Sequence, residues 1–243
     1  MHQRNEIDKQ QSCSELVNKI ERSATALKKR LRTTKKILKE VFFQHRRIAK
    51  SEGLFAVAAT LTYRSENEFH SKNISQFIEK LRKKFKRRGH ALRYSWALER
   101  KDQLLHYHLM VWIPRNLHIS WADIVAGWTF GSTWIKQCTS PYAWATYMGK
   151  SATKENLPRS AKSYGYGGLD HDGKDSLKQS KMPSWLKDLK PIFSNMKKIP
   201  HLGWCDVLTG ELYRSPWIWG PKGWARNPEN QTRVGDASCL EQP

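Results

Sequence analysis

Two histidines one residue apart, His106 and His108, interrupt the apolar run Leu104–Trp112 (LLHYHLMVW). On a β-strand, residues two apart point to the same face, so this spacing sets two imidazoles side by side. Paired imidazoles are ligands for a divalent metal. With nine histidines in the chain, a His-x-His alone is a weak signal. Its setting singles it out, because a histidine within an apolar strand is costly to bury without a partner. A third ligand is required. Glu99 ends the preceding apolar stretch, and a hairpin would bring it close to His106; the alternative is an ordinary solvated carboxylate at a strand end. A His, His, Glu set keeps positions open for a phosphate oxygen and water, the arrangement of a Lewis acid rather than of a closed structural site.

A second group with chemical potential is Tyr147 with Lys150, in the segment PYAWATYMGK. Three residues apart on a helix, the two side chains share a face. A phenol titrates near pH 10 and is a weak nucleophile at neutral pH. A neighbouring ammonium stabilises the phenolate and steadies a phosphate under attack. Taken alone, the pair is equally an amphipathic surface pair. Lys154 lies one turn further along, while Tyr142 points away from Tyr147 and reads as a packing residue.

These groups need elements to position them. Leu54 to Tyr63 is rich in apolar and β-branched residues and predicts a buried strand. Ser71 to Arg88 predicts an amphipathic helix, with Ile74, Phe77, Ile78, Leu81 and Phe85 on one stripe and Gly89 as its stop. Strands follow at Ala91 to Glu99 and Leu104 to Ile113, joined by the polar turn Arg100-Lys101-Asp102-Gln103. A short helix capped by Ser120 (Trp121 to Trp128), a strand at Thr133 to Gln137, and a helix capped by Ser140, with Pro141 first, complete the set. That helix runs to about Thr153. The order is met by an α+β fold: an antiparallel sheet of split β-α-β topology with helices on one face.

Ahead of it, residues 1–50 read as a basic helical extension. A capping box at Ser12 and Glu15 opens it, and Leu16, Ile20, Ala24, Leu27, Leu31, Leu38 and Val41 recur at threes and fours. It serves as a DNA-gripping arm, a coiled-coil dimerisation element or a helix packed on the domain. Residues 51–170 form the central domain. Residues 171–243 form an extension with a short helix at Ser184 to Leu189, a hairpin around Leu208-Thr209-Gly210-Glu211 between Trp204 and Tyr213, and a disordered tail.

Charge narrows the partners. Forty-three Lys and Arg oppose 22 Asp and Glu, for a formal charge of +21. Self-repulsion of that size favours a polyanionic partner, and the common ones are nucleic acids and acidic membranes. No apolar run is long enough to span a bilayer and the polar start is no secretory signal, so a membrane is the weaker reading. Four scattered cysteines without a Cys-x-x-Cys pair fit a reducing cytosol. Eleven tryptophans supply either stacking surfaces for unpaired bases or core filling, and core filling is the default for each.

Together these segments resemble the HUH endonucleases, and within them the replication initiators of rolling-circle bacteriophages and plasmids. The matching residues are Thr60-Leu61-Thr62-Tyr63, Glu99 with His106-Tyr107-His108, and Tyr147-Met148-Gly149-Lys150. Lys154 and the glycine-rich Ser163-Tyr164-Gly165-Tyr166-Gly167-Gly168 are similar to the segment after the tyrosine helix in phage members. The resemblance implies an HUH-type core and Mg2+ or Mn2+ held by His106, His108 and Glu99. It also implies attack by Tyr147 on a phosphate of single-stranded or hairpin origin DNA, giving a 5′-phosphotyrosine and a 3′-hydroxyl that primes synthesis. Two-tyrosine phage members carry the second tyrosine four residues after the first; Ser151 stands there, which implies a single-tyrosine enzyme, with a second subunit of a homodimer or Tyr142 needed for termination. No phosphate-binding Gly-x-x-x-x-Gly-Lys-Ser/Thr loop is present, so a host helicase would unwind the duplex and a host polymerase extend it. Two other readings fit the same residues: a single-tyrosine transposase of the same superfamily, and a non-catalytic basic single-strand-binding protein with structural histidines.

Overall fold

The computed structural model describes residues 25, 28, 29, 31–151, 157, 158, 160–189, 195–200, 202–220 and 223–227. Ser12, Glu15, Leu16, Ile20, Ala24, Leu27, Thr153, Lys154 and residues 228–243 lie outside the described residues, and with them the expected capping box and tail. The chain divides into two units, residues 1–173 and 174–243.

In the first unit, helix α1 (31–52) leads through Gly53 into β1 (Leu54–Thr62). Then come α2 (Asn73–Lys86), β2 (Arg93–Lys101), β3 (Leu104–Pro114), α3 (Trp121–Val125), β4 (Thr133–Gln137), α4 (Pro141–Ser151) and β5 (Tyr164–Gly167). The strands make one antiparallel sheet in the order β4-β1-β3-β2-β5. β3 lies between β1 and β2, the split β-α-β arrangement that the element order predicts.

Alternation along the strands gives the sheet two different faces. Val57, Ala59, Leu61, Tyr94, Trp96, Leu98, Leu105, Tyr107, Leu109 and Val111 pack against Ile74, Phe77, Ile78, Leu81 and Phe85 of α2 and Ile124 and Val125 of α3. Each large side chain buried from α2 contributes roughly 1.5–3 kcal/mol, so this face supplies most of the apolar stabilisation. The opposite face carries Ala56, Ala97, Met110 and Trp112, covered by Leu38, Phe42 and Ala49 of α1 and Ala145 and Met148 of α4. Helices therefore cover both faces, not the one face expected from sequence. The difference arises because residues 31–52 and 141–151 bring their own apolar stripes to the second face, and a sheet face must be covered to be buried.

Two local features set the register. The β2–β3 hairpin closes with two residues, Asp102 and Gln103, both at positive φ (51° and 63°). Such a turn matches the right-handed strand twist, and its length fixes the pairing: Lys101 faces Leu104 and, two steps on, Glu99 faces His106. The second feature is β5, which the sequence does not announce. Gly165 and Gly167 pair with Trp96 and Tyr94 of β2. A Cβ on Gly165 would lie 2.5 Å from the Trp96 ring, and one on Gly167 2.6 Å from the Tyr94 ring. The aromatic rings cover the glycines, which gives an otherwise weak edge strand something to pair with.

In the second unit, α5 (His171–Lys181, begun in the first unit) is followed by α6 (Ser184–Leu189). A three-stranded sheet contains β6 (Met196–Ile199), β7 (Gly203–Asp206) and β8 (Leu212–Tyr213), and a hairpin pairs β9 (Trp217–Gly220) with β10 (Gly223–Arg226). Trp204 faces Tyr213 across β7 and β8, as the predicted hairpin requires. Met182, Leu186 and Met196 form its core, with Trp185, Trp204 and Tyr213 packed against them. No helix among the described residues is long and apolar enough to cross a membrane.

Candidate active site

The face under α1 and α4 carries the polar cluster. Thr60, His108 and Ala97 are aligned across β1, β3 and β2, and Thr62, His106 and Glu99 form the adjacent row. The two imidazole rings are 6.4 Å apart and within 20° of parallel, as the strand spacing predicts.

Each ring is held at both nitrogens. His106 Nδ1 is 2.9 Å from Thr62 Oγ1, and His108 Nδ1 makes a longer contact, 3.4 Å, to Thr60 Oγ1. On the far edges, His108 Nε2 is 2.7 Å from Glu99 Oε2 and His106 Nε2 is 3.3 Å from the Lys101 carbonyl oxygen. A carboxylate and a carbonyl only accept, so both Nε2 atoms carry the proton here and both Nδ1 atoms accept from threonine hydroxyls. Ligation through Nε2 needs the other tautomer. Threonine hydroxyls donate as well as accept, so Thr60 and Thr62 serve either form. Burial holds His108 below the usual histidine range, against the opposing pull of the Glu99 carboxylate. A neutral imidazole is the ligating form.

α4 brings in the phenol. Tyr147 Oη donates to Glu99 Oε2 at 3.0 Å, so the phenol and His108 share one carboxylate oxygen. The Tyr147 ring lies 4.9 Å from His108, edge to face, and 5.7 Å from the ring of Trp144, nearly stacked at 27°. Trp144 in turn packs 5.5 Å from His108 and donates Nε1–H to the Leu109 carbonyl at 3.3 Å. Trp144 is thus a wedge that fixes how far α4 stands from the sheet and where Tyr147 points. Tyr147 remains 39% exposed, accessible to a substrate from solution.

Of the residues singled out from sequence, Glu99, His108 and Tyr147 therefore meet at one carboxylate oxygen, and His106 lies beside His108 on the same face. Lys150 occupies the last turn of α4 and is exposed. Tyr142 stands at the other end of that helix against Phe42 and Phe43, 5.7 and 6.3 Å away. Tyr107, between the two histidines, faces the opposite core, and burial drives its hydroxyl far above the ordinary phenol range. Trp144 and Trp134 are site residues that sequence reading missed. Trp134 is 45% exposed on β4 opposite Thr60, its ring 6.3 Å from Trp144 and under the Lys136 ammonium at 4.9 Å. The spacing Trp144–Tyr147, three apart on a predicted helix, was the available signal for Trp144.

Two imidazole nitrogens and a carboxylate oxygen are a suitable donor set for a divalent ion with open positions. Glu99 and His108 are already in contact. Among the described residues, however, no three His, Cys, Asp or Glu side chains converge tightly enough to hold a metal, and His106, turned to the Lys101 carbonyl, is the member that stands apart.

Residues 56–156 match the model of a family described as Replication-associated protein, of the ORF2 type. No curated protein and no solved structure matches the chain. The matched stretch begins in β1 and runs past the end of α4, so it contains Thr60, Thr62, Glu99, His106, His108, Trp144, Tyr147 and Lys150. The segment that builds the site, residues 56–156, is thus the part of the chain that is similar to this family of replication-associated proteins.

Proposed function

We propose that this protein nicks and rejoins single-stranded DNA at a replication origin through a covalent bond to Tyr147. The observation that carries the reading is the shared oxygen: Glu99 Oε2 accepts from Tyr147 Oη at 3.0 Å and from His108 Nε2 at 2.7 Å. A nucleophile, a candidate ligand and a carboxylate meet at one point on an accessible face, in a segment of a replication-associated family.

In this reading Tyr147 Oη attacks the phosphorus of a phosphodiester and passes its proton to Glu99 Oε2, the acceptor it already contacts. The bond from phosphorus to the 3′ oxygen breaks, and that oxygen leaves with a proton from solvent. The products are a 5′-phosphotyrosine and a 3′-hydroxyl. Attack by a 3′-hydroxyl on the phosphotyrosine reverses the sequence and restores the strand, so one phosphoester bond is exchanged for another at each step. His106, His108 and Glu99 would hold Mg2+ or Mn2+, whose chemistry when bound is to withdraw charge from the phosphate oxygens. Since Glu99 also holds the phenol, ligand position and nucleophile position are coupled through one side chain. Lys150, one turn beyond Tyr147, adds positive charge on the side where the phosphate would sit. Trp144 and Trp134 offer ring faces for the bases beside the scissile phosphate.

The test is a denaturing-gel assay for a covalent adduct between the protein and labelled single-stranded oligonucleotides drawn from a randomised pool, with Mn2+ or Mg2+ present. An adduct with the wild-type chain that is absent from Tyr147→Phe is expected. Persistence of the adduct in Tyr147→Phe would overturn the nucleophile assignment, and no adduct under any condition would favour a non-catalytic single-strand binder.

A further inference from the structure

On the same sheet face, at the far end of α4 from Tyr147, lies a cleft of about 590 Å³. Its walls are α1, the first residue of β1, the end of β3 and the first turn of α4. That volume is in the range that holds a small organic ligand. Three cationic side chains line it, Arg46 and Lys50 one turn apart on α1 and Arg115 just after β3, and no carboxylate does. None of the three makes an ion pair or a side-chain hydrogen bond among the described residues, although other cations of this unit do, such as Arg47 with Asp170 and Arg93 with Glu52. Three unpaired cations facing one cleft repel one another, and the arrangement is relieved by a bound anion.

The remaining lining is aromatic. Tyr142 is 48% exposed at the cleft, its ring braced by Phe42 at 5.7 Å. Trp112, only 4% exposed, lies beneath, and its indole Nε1–H is buried without a hydrogen-bond partner among the described residues. A buried donor left unmatched is unfavourable. An anion alone would use the cations and leave the exposed ring idle; a nucleotide with an unpaired base uses both.

Position supports the same ligand. Tyr142 and Tyr147 are five residues apart on α4, about 7.5 Å along its axis. His108 and Trp112 are four apart on one face of β3, about 13 Å. A strand whose phosphate reaches Tyr147 and continues along α4 arrives at this cleft.

We infer that the cleft between α1 and the start of α4 is a subsite for single-stranded DNA, in which Arg46, Lys50 and Arg115 hold phosphates and Tyr142 stacks on a base. Its location relative to the scissile phosphate rests on the function proposed above; its capacity to bind DNA does not. The subsite gives α1 a role in gripping substrate.

The test is fluorescence anisotropy of labelled oligodeoxythymidine with the full chain, in EDTA so that metal-dependent cleavage is suppressed, across a range of salt. The triple variant Arg46→Ala, Lys50→Ala, Arg115→Ala should bind more weakly, with the slope of log K against log salt reduced by about 2, near 0.7 for each single-strand phosphate contact. Tyr142→Leu should weaken binding by roughly five- to hundredfold while leaving the slope in place, the signature of lost stacking. A matched triple variant on the opposite side of the sheet, Lys83→Ala, Lys86→Ala, Arg87→Ala, reports the effect of net charge alone. Equal losses from the two triple variants, or unchanged binding in the cleft variants, would overturn the subsite. So would a cleft triple variant that loses binding to phosphatidylserine vesicles but keeps binding to the oligonucleotide. Because binding is read without chemistry, a chain that forms no Tyr147 adduct yet loses affinity in the cleft variants keeps the subsite and loses the nickase, and the converse result separates them the other way.

Discussion

The two faces of the five-stranded sheet are built from the same strands and perform different work. Towards α2 and α3 the side chains are almost all large and apolar, with Tyr63, Tyr107, Phe77 and Phe85 fully buried. Towards α1 and α4 the same strands present small residues (Ala56, Ala58, Ala97) and then Thr60, Thr62, Glu99, His106 and His108. A strand alternates faces at each residue, so β3 places Tyr107 in the core and His106 and His108 on the other side within three positions. A partly buried polar cluster, with His108 its one buried member, is tolerated because the other face carries the stability.

The largest expected effect tests the first half of that division. Phe77→Ala should lower stability by about 3–5 kcal/mol, measured by chemical denaturation. A loss below about 1 kcal/mol would mean that the α2 face does not hold the fold. The next concerns a polar residue on the other side, His45 of α1, buried with Nε2 3.0 Å from the Gly167 carbonyl oxygen. Burial, the main cause, lowers its pKa to about 4. The unfolded chain takes up this proton below about pH 6.5 while the folded chain does not, so stability falls as pH drops from 6.5 to 4. The total is on the order of 3 kcal/mol. His45→Leu should flatten the slope of stability against pH in that window; an unchanged slope would show that another group sets it. The smallest expected effect on stability falls at the centre of the polar face. Glu99→Gln keeps the shape and should alter stability by less than about 1 kcal/mol, yet slow adduct formation by roughly a hundredfold or more, because a carboxamide is a poor acceptor for the Tyr147 proton. A large stability loss with unchanged adduct formation would invert the division of labour between the faces.

Much of this was legible in the sequence because it depends on local pattern. The stripe Ile74, Phe77, Ile78, Leu81 and Phe85 gives α2, and the alternation through Leu104–Trp112 gives β3 and puts both histidines on one face. The polar turn between β2 and β3 was visible, and with it the approach of Glu99 to His106. What escaped depends on partners distant in sequence. β5 has no β-branched run; its glycines make sense only beneath Trp96 and Tyr94 of β2. The covering of the second face by α1 and α4 follows from tertiary packing, and the stripe of residues 1–50 fits a coiled coil or a packed helix equally well. Trp134 and Trp144 could not be told from core tryptophans such as Trp96 and Trp128 by type, because exposure is set by the strand edge and by the helix seated on it. Glu99 illustrates both cases: its nearness to His106 is a matter of register, while its contact with Tyr147 needed α4 in place.

The most direct test of the central claim is to map the covalent bond. After reaction of the full chain with single-stranded DNA and Mn2+, nuclease trimming and proteolysis, fragmentation mass spectrometry should place a nucleotide phosphate on Tyr147 itself, and none on Tyr142, which shares its tryptic peptide, or on Tyr164 or Tyr166. A nucleotide carried by one of those other tyrosines, or DNA cleaved with no phosphotyrosine at all, would contradict the account.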